Sequence, residues 1–202
     1  MAGVPDAEDE LTFKLFSEWI HKTIGFDILD LDKYGDDWTF IVKLHAMIET
    51  GLNSALSNHF NEPSLMPVIA KLNTSDAAGK VAFAKALKIL LPHSATFIQA
   101  LSELRNYCVH DIRHFDFDLA TYLKSLSDDK RKDFIKKVHR EIIEEKRAKV
   151  TDQRVAVLIA TMSVMLQLFC HDQQCRIRDL QNRINELEEE RRSVLDQSTP
   201  KE

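Results

Sequence analysis

Apolar residues recur at three- and four-residue spacing along this chain, the period of helices that bury one face. The pattern predicts a first helix over about 9–25, with Leu11, Leu15, Trp19 and Ile20 on one side and Gly25 near its end. "FDILDLDKYGDD" reads as a short connection. Asp36 or Asp37 can cap a second helix running to about Phe60, with Trp38, Ile41, His45, Ile48, Leu52 and Leu56 in one stripe. His45 and Glu49 lie four apart, one above the other on that helix. "NEPSLMPV" breaks the chain with two prolines.

"NTSDAAGKVAFAKALKILLP" predicts a third helix, with Ser75 as N-cap and Pro92 closing it. Ser94 can cap the next helix, whose apolar face carries Phe97, Leu101, Leu104 and Cys108. "DIRHFDFD" reads as a turn, after which Asp118 can cap a short helix, "LATYLKSL". Ser127 or Asp128 starts a charged helix. The uncharged run "VAVLIATMSVMLQLFC", residues 155–170, follows it, and then Ile177, Leu180, Ile184, Leu187 and Val194 form a heptad seam interrupted by Arg191. Residues 1–8 and 196–202 read as tails. The expected architecture is all-α, with a helical domain over 9–126 and a helical extension over 127–195.

Composition supports this reading. Five glycines and five prolines in 202 residues disfavour a turn-rich β fold, and 44% hydrophobic residues suffice for a core. The net charge of −5 is unevenly spread: residues 1–49 hold eleven acids and four bases, residues 128–154 ten bases and seven acids. The acidic front argues against nonspecific DNA coating. The basic segment reads as a solvated face, with Glu141, Glu144 and Glu145 interleaved at helical distances, in preference to a phosphate-facing one. Cys108, Cys170 and Cys175 form no C-x-x-C pair and suit a reducing compartment. "MAGVPDAEDE" has no apolar run, so it does not read as a signal peptide. Localisation is expected to be cytoplasmic.

The stretch that carries candidate chemistry is "LSELRNYCVHDIRHFDFD", residues 101–118. "LRNYCVH" resembles the arginine–histidine motif of the HEPN superfamily, in which asparagine follows the arginine. "VKLHAMIETGLNSAL", "AAGKVAFAKALKIL", "LSELRNYCVH" and "FDFDLATYLKSL" resemble, in order, segments of the mannitol-operon repressor family, a branch related to HEPN domains. The resemblance covers about residues 10–126. It implies an α-helical bundle that commonly dimerises. In many HEPN proteins the arginine and histidine cleave RNA without metal at a dimer interface, often in toxin–antitoxin or antiviral systems. The repressor branch is associated with regulation.

The chemistry of the residues is consistent with that implication. His110 can act as acid or base near neutrality, Arg105 can hold phosphate oxygens, and Asn106 can position the phosphate or the imidazole. Residues five apart on a continuous α-helix point about 140° from each other. Either the helix ends near Val109, or the two residues enter a cleft from different subunits. A structural reading stands beside the catalytic one: Arg105 pairs with Glu49 across packed helices, His45 supports that site, and His110 caps its helix. Catalysis requires Arg105 and His110 to share an open cleft; a regulator or protein-binding module requires Arg105 to be buried against Glu49.

His110 and His114 have metal-ligand spacing, but further ligands are missing, so no metal and no cofactor is expected. Cys108 reads as core, not as a nucleophile. No glycine-rich phosphate loop is present. The expected partners are a second copy of the chain, RNA, or a protein partner such as an antitoxin or regulator. The alternative is a membrane-anchored protein with its N-terminal domain in the cytoplasm, since basic residues precede 155–170. That run spans about 24 Å as helix, short of a hydrocarbon core of roughly 30 Å, which favours burial in the bundle or in a dimer.

Overall fold

The computed structural model describes residues 7–25, 35–74, 76–111 and 114–198. Helices α1 (Ala7–Ile24), α2 (Asp37–His59), α3 (Met66–Lys71), α4 (Lys80–Ala86), α5 (Pro92–His110), α6 (Leu119–Ser125), α7 (Asp128–His139), α8 (Glu144–Arg147) and α9 (Gln153–Ser198) follow in order. The described residues contain no strand. The fold is an all-α helical bundle with a long C-terminal helix.

α2 is the axis of the bundle. Asp36 caps it, its carboxylate accepting the Thr39 amide at 2.7 Å. Ile41, Leu44, Met47, Ile48, Leu52, Ala55 and Leu56 are buried, covering more than one face, because helices pack on several sides of it. α9 makes the most extensive of these contacts. Its residues Ala156, Val157, Ala160, Val164, Met165, Leu168 and Phe169 belong to the same core cluster as α2 and α5. The core therefore does not divide at residue 126. Gly51 permits the close approach: a Cβ there would sit 2.9 Å from Leu168 Cδ1 and 3.0 Å from Met165 Cε.

Polar contacts fix the two ends of this helix pair. Asp37 Oδ1 receives Arg154 of α9 at 2.9 Å, and its Oδ2 receives the first amide of α6 at 2.8 Å. Farther along, the buried Asp172 carboxylate accepts the Trp19 indole N–H at 3.1 Å and Asn58 Nδ2. α9 is long and apolar enough to cross a membrane, and half of its most apolar window is buried inside the bundle.

Several local expectations need correction. In α1, Trp19 and Ile20 are buried, but Leu11 and Leu15 are 57% and 45% exposed. "SLMPV" holds a helix that the two prolines hid: a 3₁₀ turn, Pro63–Leu65, leads into α3, whose Pro67 sits in the first turn where no amide partner is needed. The predicted third helix shrinks to α4, and Gly79 is its N-cap; Ser75 lies outside the described residues. Pro92 opens α5 instead of closing the preceding element. Ser94 is no cap: it is buried, donates to Glu141 at 3.2 Å and accepts Gln167 Nε2 at 2.8 Å. Glu141 is therefore inside, not on a solvated face, with its carboxyl pushed up by burial while His93 opposes that shift. Asp118 caps α6 as expected, accepting the Thr121 amide at 2.6 Å.

Candidate functional site

A cavity of about 690 Å³ opens between α2, the segment before α4, and α5. His45 and Glu49 come from α2, Thr74 and Asp76 from the connecting segment, and Ser102, Arg105 and Asn106 from α5. Helical spacing aligns each set: 45 and 49 are one turn apart, as are 102 and 105/106. Four of the five residues singled out from sequence thus meet at one cleft.

Their pairing differs from the expectation. Glu49 does not pair with Arg105; its Oε1 receives Lys80 Nζ at 2.7 Å and the Thr74 hydroxyl at 3.3 Å. Lys80 is fully buried and also donates to the Ala70 carbonyl at 3.3 Å. Burial works to raise the Glu49 carboxyl, but the hydrogen bond and charge of Lys80 outweigh it and hold the group below its ordinary range. Arg105 is half-buried on the cleft wall and donates to Asn106 Oδ1 at 3.1 Å; it has no carboxylate partner among the described residues. Asp76, by contrast, is neutralised by Lys85 at 2.8 Å.

His45 is set as a neutral donor. The Ser102 hydroxyl donates to the Ile98 carbonyl at 2.8 Å, so at the 3.0 Å contact it is His45 Nε2–H that donates to Ser102 Oγ. Burial pushes the imidazole below its usual range, against the pull of Glu49. The cleft thus presents one guanidinium, one neutral imidazole, the carboxylates of Glu49, Asp76 and Glu103, and several hydroxyl and amide groups, on the scale of a small-ligand site.

His110 is not part of it. α5 runs unbroken to His110, with Asp111 its extended C-cap; the helix does end near Val109, but only after His110, so Arg105 and His110 both lie on regular helix. The side chain is exposed and does not line the cleft that Arg105 lines. His114 is likewise committed elsewhere: its Nδ1–H donates to the Tyr107 carbonyl at 2.7 Å and its ring stacks on Tyr107 at 3.8 Å. Cys108 is buried, and its thiol is pushed up to about 11, chiefly by burial and then by Asp37, which keeps it protonated and unreactive.

Comparison with protein-family models, curated proteins and solved structures finds no match to this chain.

Proposed function

We propose that this chain is a non-catalytic, self-associating interaction module, similar in kind to the regulatory branch that residues 10–126 resemble. The burial of Arg105 against Glu49 expected of such a module is not met, since Glu49 takes Lys80, so the reading is carried by the separation of Arg105 from His110. On the uninterrupted α5 they diverge by about 140°. A single chain therefore offers no site where one phosphate meets both the guanidinium and the imidazole, as RNA cleavage by the 2′-hydroxyl requires.

Self-association rests on the far half of α9. Ile177, Leu180, Ile184 and Leu187 are 67%, 66%, 49% and 50% exposed. With Ile177 and Ile184 at heptad position a and Leu180 and Leu187 at d, the seam has the side-chain choice that favours parallel two-stranded coiled coils. In that register Arg183 at g faces Glu188 at e of the second copy, an attractive pair made twice. The same frame runs back through Cys170 and Leu166, both exposed on the flank of the bundle. A short coiled coil is marginal alone, but this one continues a helix already nucleated in the core. The rival arrangement, a membrane tether through 155–170, has the length and apolarity of α9 in its favour, and would need the buried half of that window to leave α2.

Two measurements test the proposal together. Purified chain incubated with mixed RNA in EDTA is expected to leave it intact, and sedimentation velocity is expected to show a dimer that Leu180→Lys/Leu187→Lys converts to a folded monomer. Cleavage that disappears in His110→Ala would establish a ribonuclease whose site is shared between subunits. A monomeric wild type at micromolar concentration would remove the self-association half of the reading.

A further inference from the structure

A second cluster lies at the opposite end of α2 from its cap. His59, in the last turn of α2, meets His171 and Cys175 of α9, which are four apart and so share one face. His59 Nδ1 and His171 Nε2 are 3.2 Å apart, Cys175 Sγ and His171 Nε2 are 3.4 Å apart, and all three donor atoms lie within 4.8 Å of one another. As hydrogen bonds these contacts compete for a single proton or lone pair. One ring nitrogen carries either a proton or a lone pair, and His171 Nε2 is approached by both neighbours. A cation among the three would take a lone pair from each.

We propose that His59, His171 and Cys175 bind a divalent transition metal, zinc by preference, through two imidazoles and one thiolate, with water as the fourth ligand. Zinc–nitrogen bonds of about 2.0–2.1 Å and a zinc–sulfur bond of about 2.3 Å put tetrahedral neighbours roughly 3.3–3.6 Å apart, which the two short contacts already approach. Thiolate with imidazole suits zinc over magnesium or calcium. Cys175 is buried while both histidines keep partial exposure, so the metal has a route in from solvent. Asp172 is next to His171 in sequence but stays outside the ligand set. Its oxygens are engaged by Trp19, Asn58 and Arg176, the last at 3.1 Å. The charged groups acting on the thiol are Arg178, Asp172 and Asp179; Arg178 also donates to the His59 carbonyl at 3.1 Å. Binding releases the Cys175 thiol proton to solvent and joins the end of α2 to α9 where the latter leaves the bundle.

The test is a cobalt titration of the full chain, stripped with chelator and kept reduced. One equivalent of Co²⁺ is expected to produce thiolate-to-cobalt charge-transfer absorption, which zinc abolishes by displacement. Cys175→Ser should lack the band while keeping its helical circular dichroism; Cys108→Ser and Cys170→Ser should retain it. His59→Ala, a change at a helix end outside the core, should weaken binding by at least about tenfold, the least that losing even an outer-shell partner costs. Wild type without the charge-transfer band, or a band that survives Cys175→Ser, overturns the proposal. Neither result bears on RNA cleavage or on the dimer, so the two proposals fail separately.

Discussion

Replacing Lys80 by Met probes the cleft at its buried edge. The methionine keeps most of the lysine stem and deletes the ammonium that sits 2.7 Å from Glu49. Removing one member of a fully buried ion pair costs about 3–5 kcal/mol, because an uncompensated charge stays behind. Here the charge left behind is on Glu49, whose side chain is 36% exposed and retains its Thr74 bond. Water offsets part of the loss, so the expected destabilisation at neutral pH is about 2–3 kcal/mol. In a chain of this length that lowers Tm by roughly 4–12 °C. The effect has a pH signature. Glu49 has a folded-state pKa held below its ordinary 4.5, so its contribution is present above that value and lost as pH falls through the lowered one. Below that window wild type carries a buried ammonium facing a neutral carboxyl, and the penalty for Lys80→Met should shrink towards zero. Urea unfolding followed by circular dichroism, at about pH 7 and at the lowest pH at which the chain stays folded, measures both values. An equal penalty at the two pH values would refute the claim that charge pairing, and not packing of the lysine stem, is what Lys80 supplies.

The other expectations concern α9. Gly51→Val should destabilise by roughly 1–3 kcal/mol in urea unfolding, since the added methyls meet Leu168 and Met165, whereas Gly51→Ala should cost less because better helix propensity and the pliant Met165 thioether offset the contact; a neutral Gly51→Val would mean that α9 is not seated on α2 at that point. In the parallel register two Cys170 side chains face each other at an a position, so diamide should give a covalent dimer on non-reducing gels that Cys170→Ser abolishes; an unlinked wild type that still sediments as a dimer would point to an antiparallel pairing.

Where function follows from local spacing, the chain is readable. The α2 stripe, the caps at Asp36 and Asp118, and the exposed row from Ile177 to Leu187 all follow from periods and short-range hydrogen bonds. Proline was ambiguous because the residue that ends one helix is also favoured at the first turn of the next; Pro67 and Pro92 both take the second role. Partner choice is not encoded locally. Nothing local tells Glu49 to take Lys80, thirty-one positions away, over Arg105; the turn before α4 decides it by carrying the lysine into the core. His171 and Cys175 had a readable signal in their four-residue spacing. It was masked by the passage from apolar run to heptad, and the third donor comes from a helix more than a hundred residues earlier.

From Gln153 to Ser198 α9 contains neither glycine nor proline. At 1.5 Å per residue it extends about 69 Å. Sharp kinks arise almost always at those two residues or where something inserts into the helix ladder, so this rod has no built-in hinge. Twisting or sliding its outer half is transmitted as torque to Leu168 and Met165 against Gly51. Any partner that grips the outer half thereby holds a mechanical lever on the bundle's centre, and one that bends it works against the packing of α2 itself.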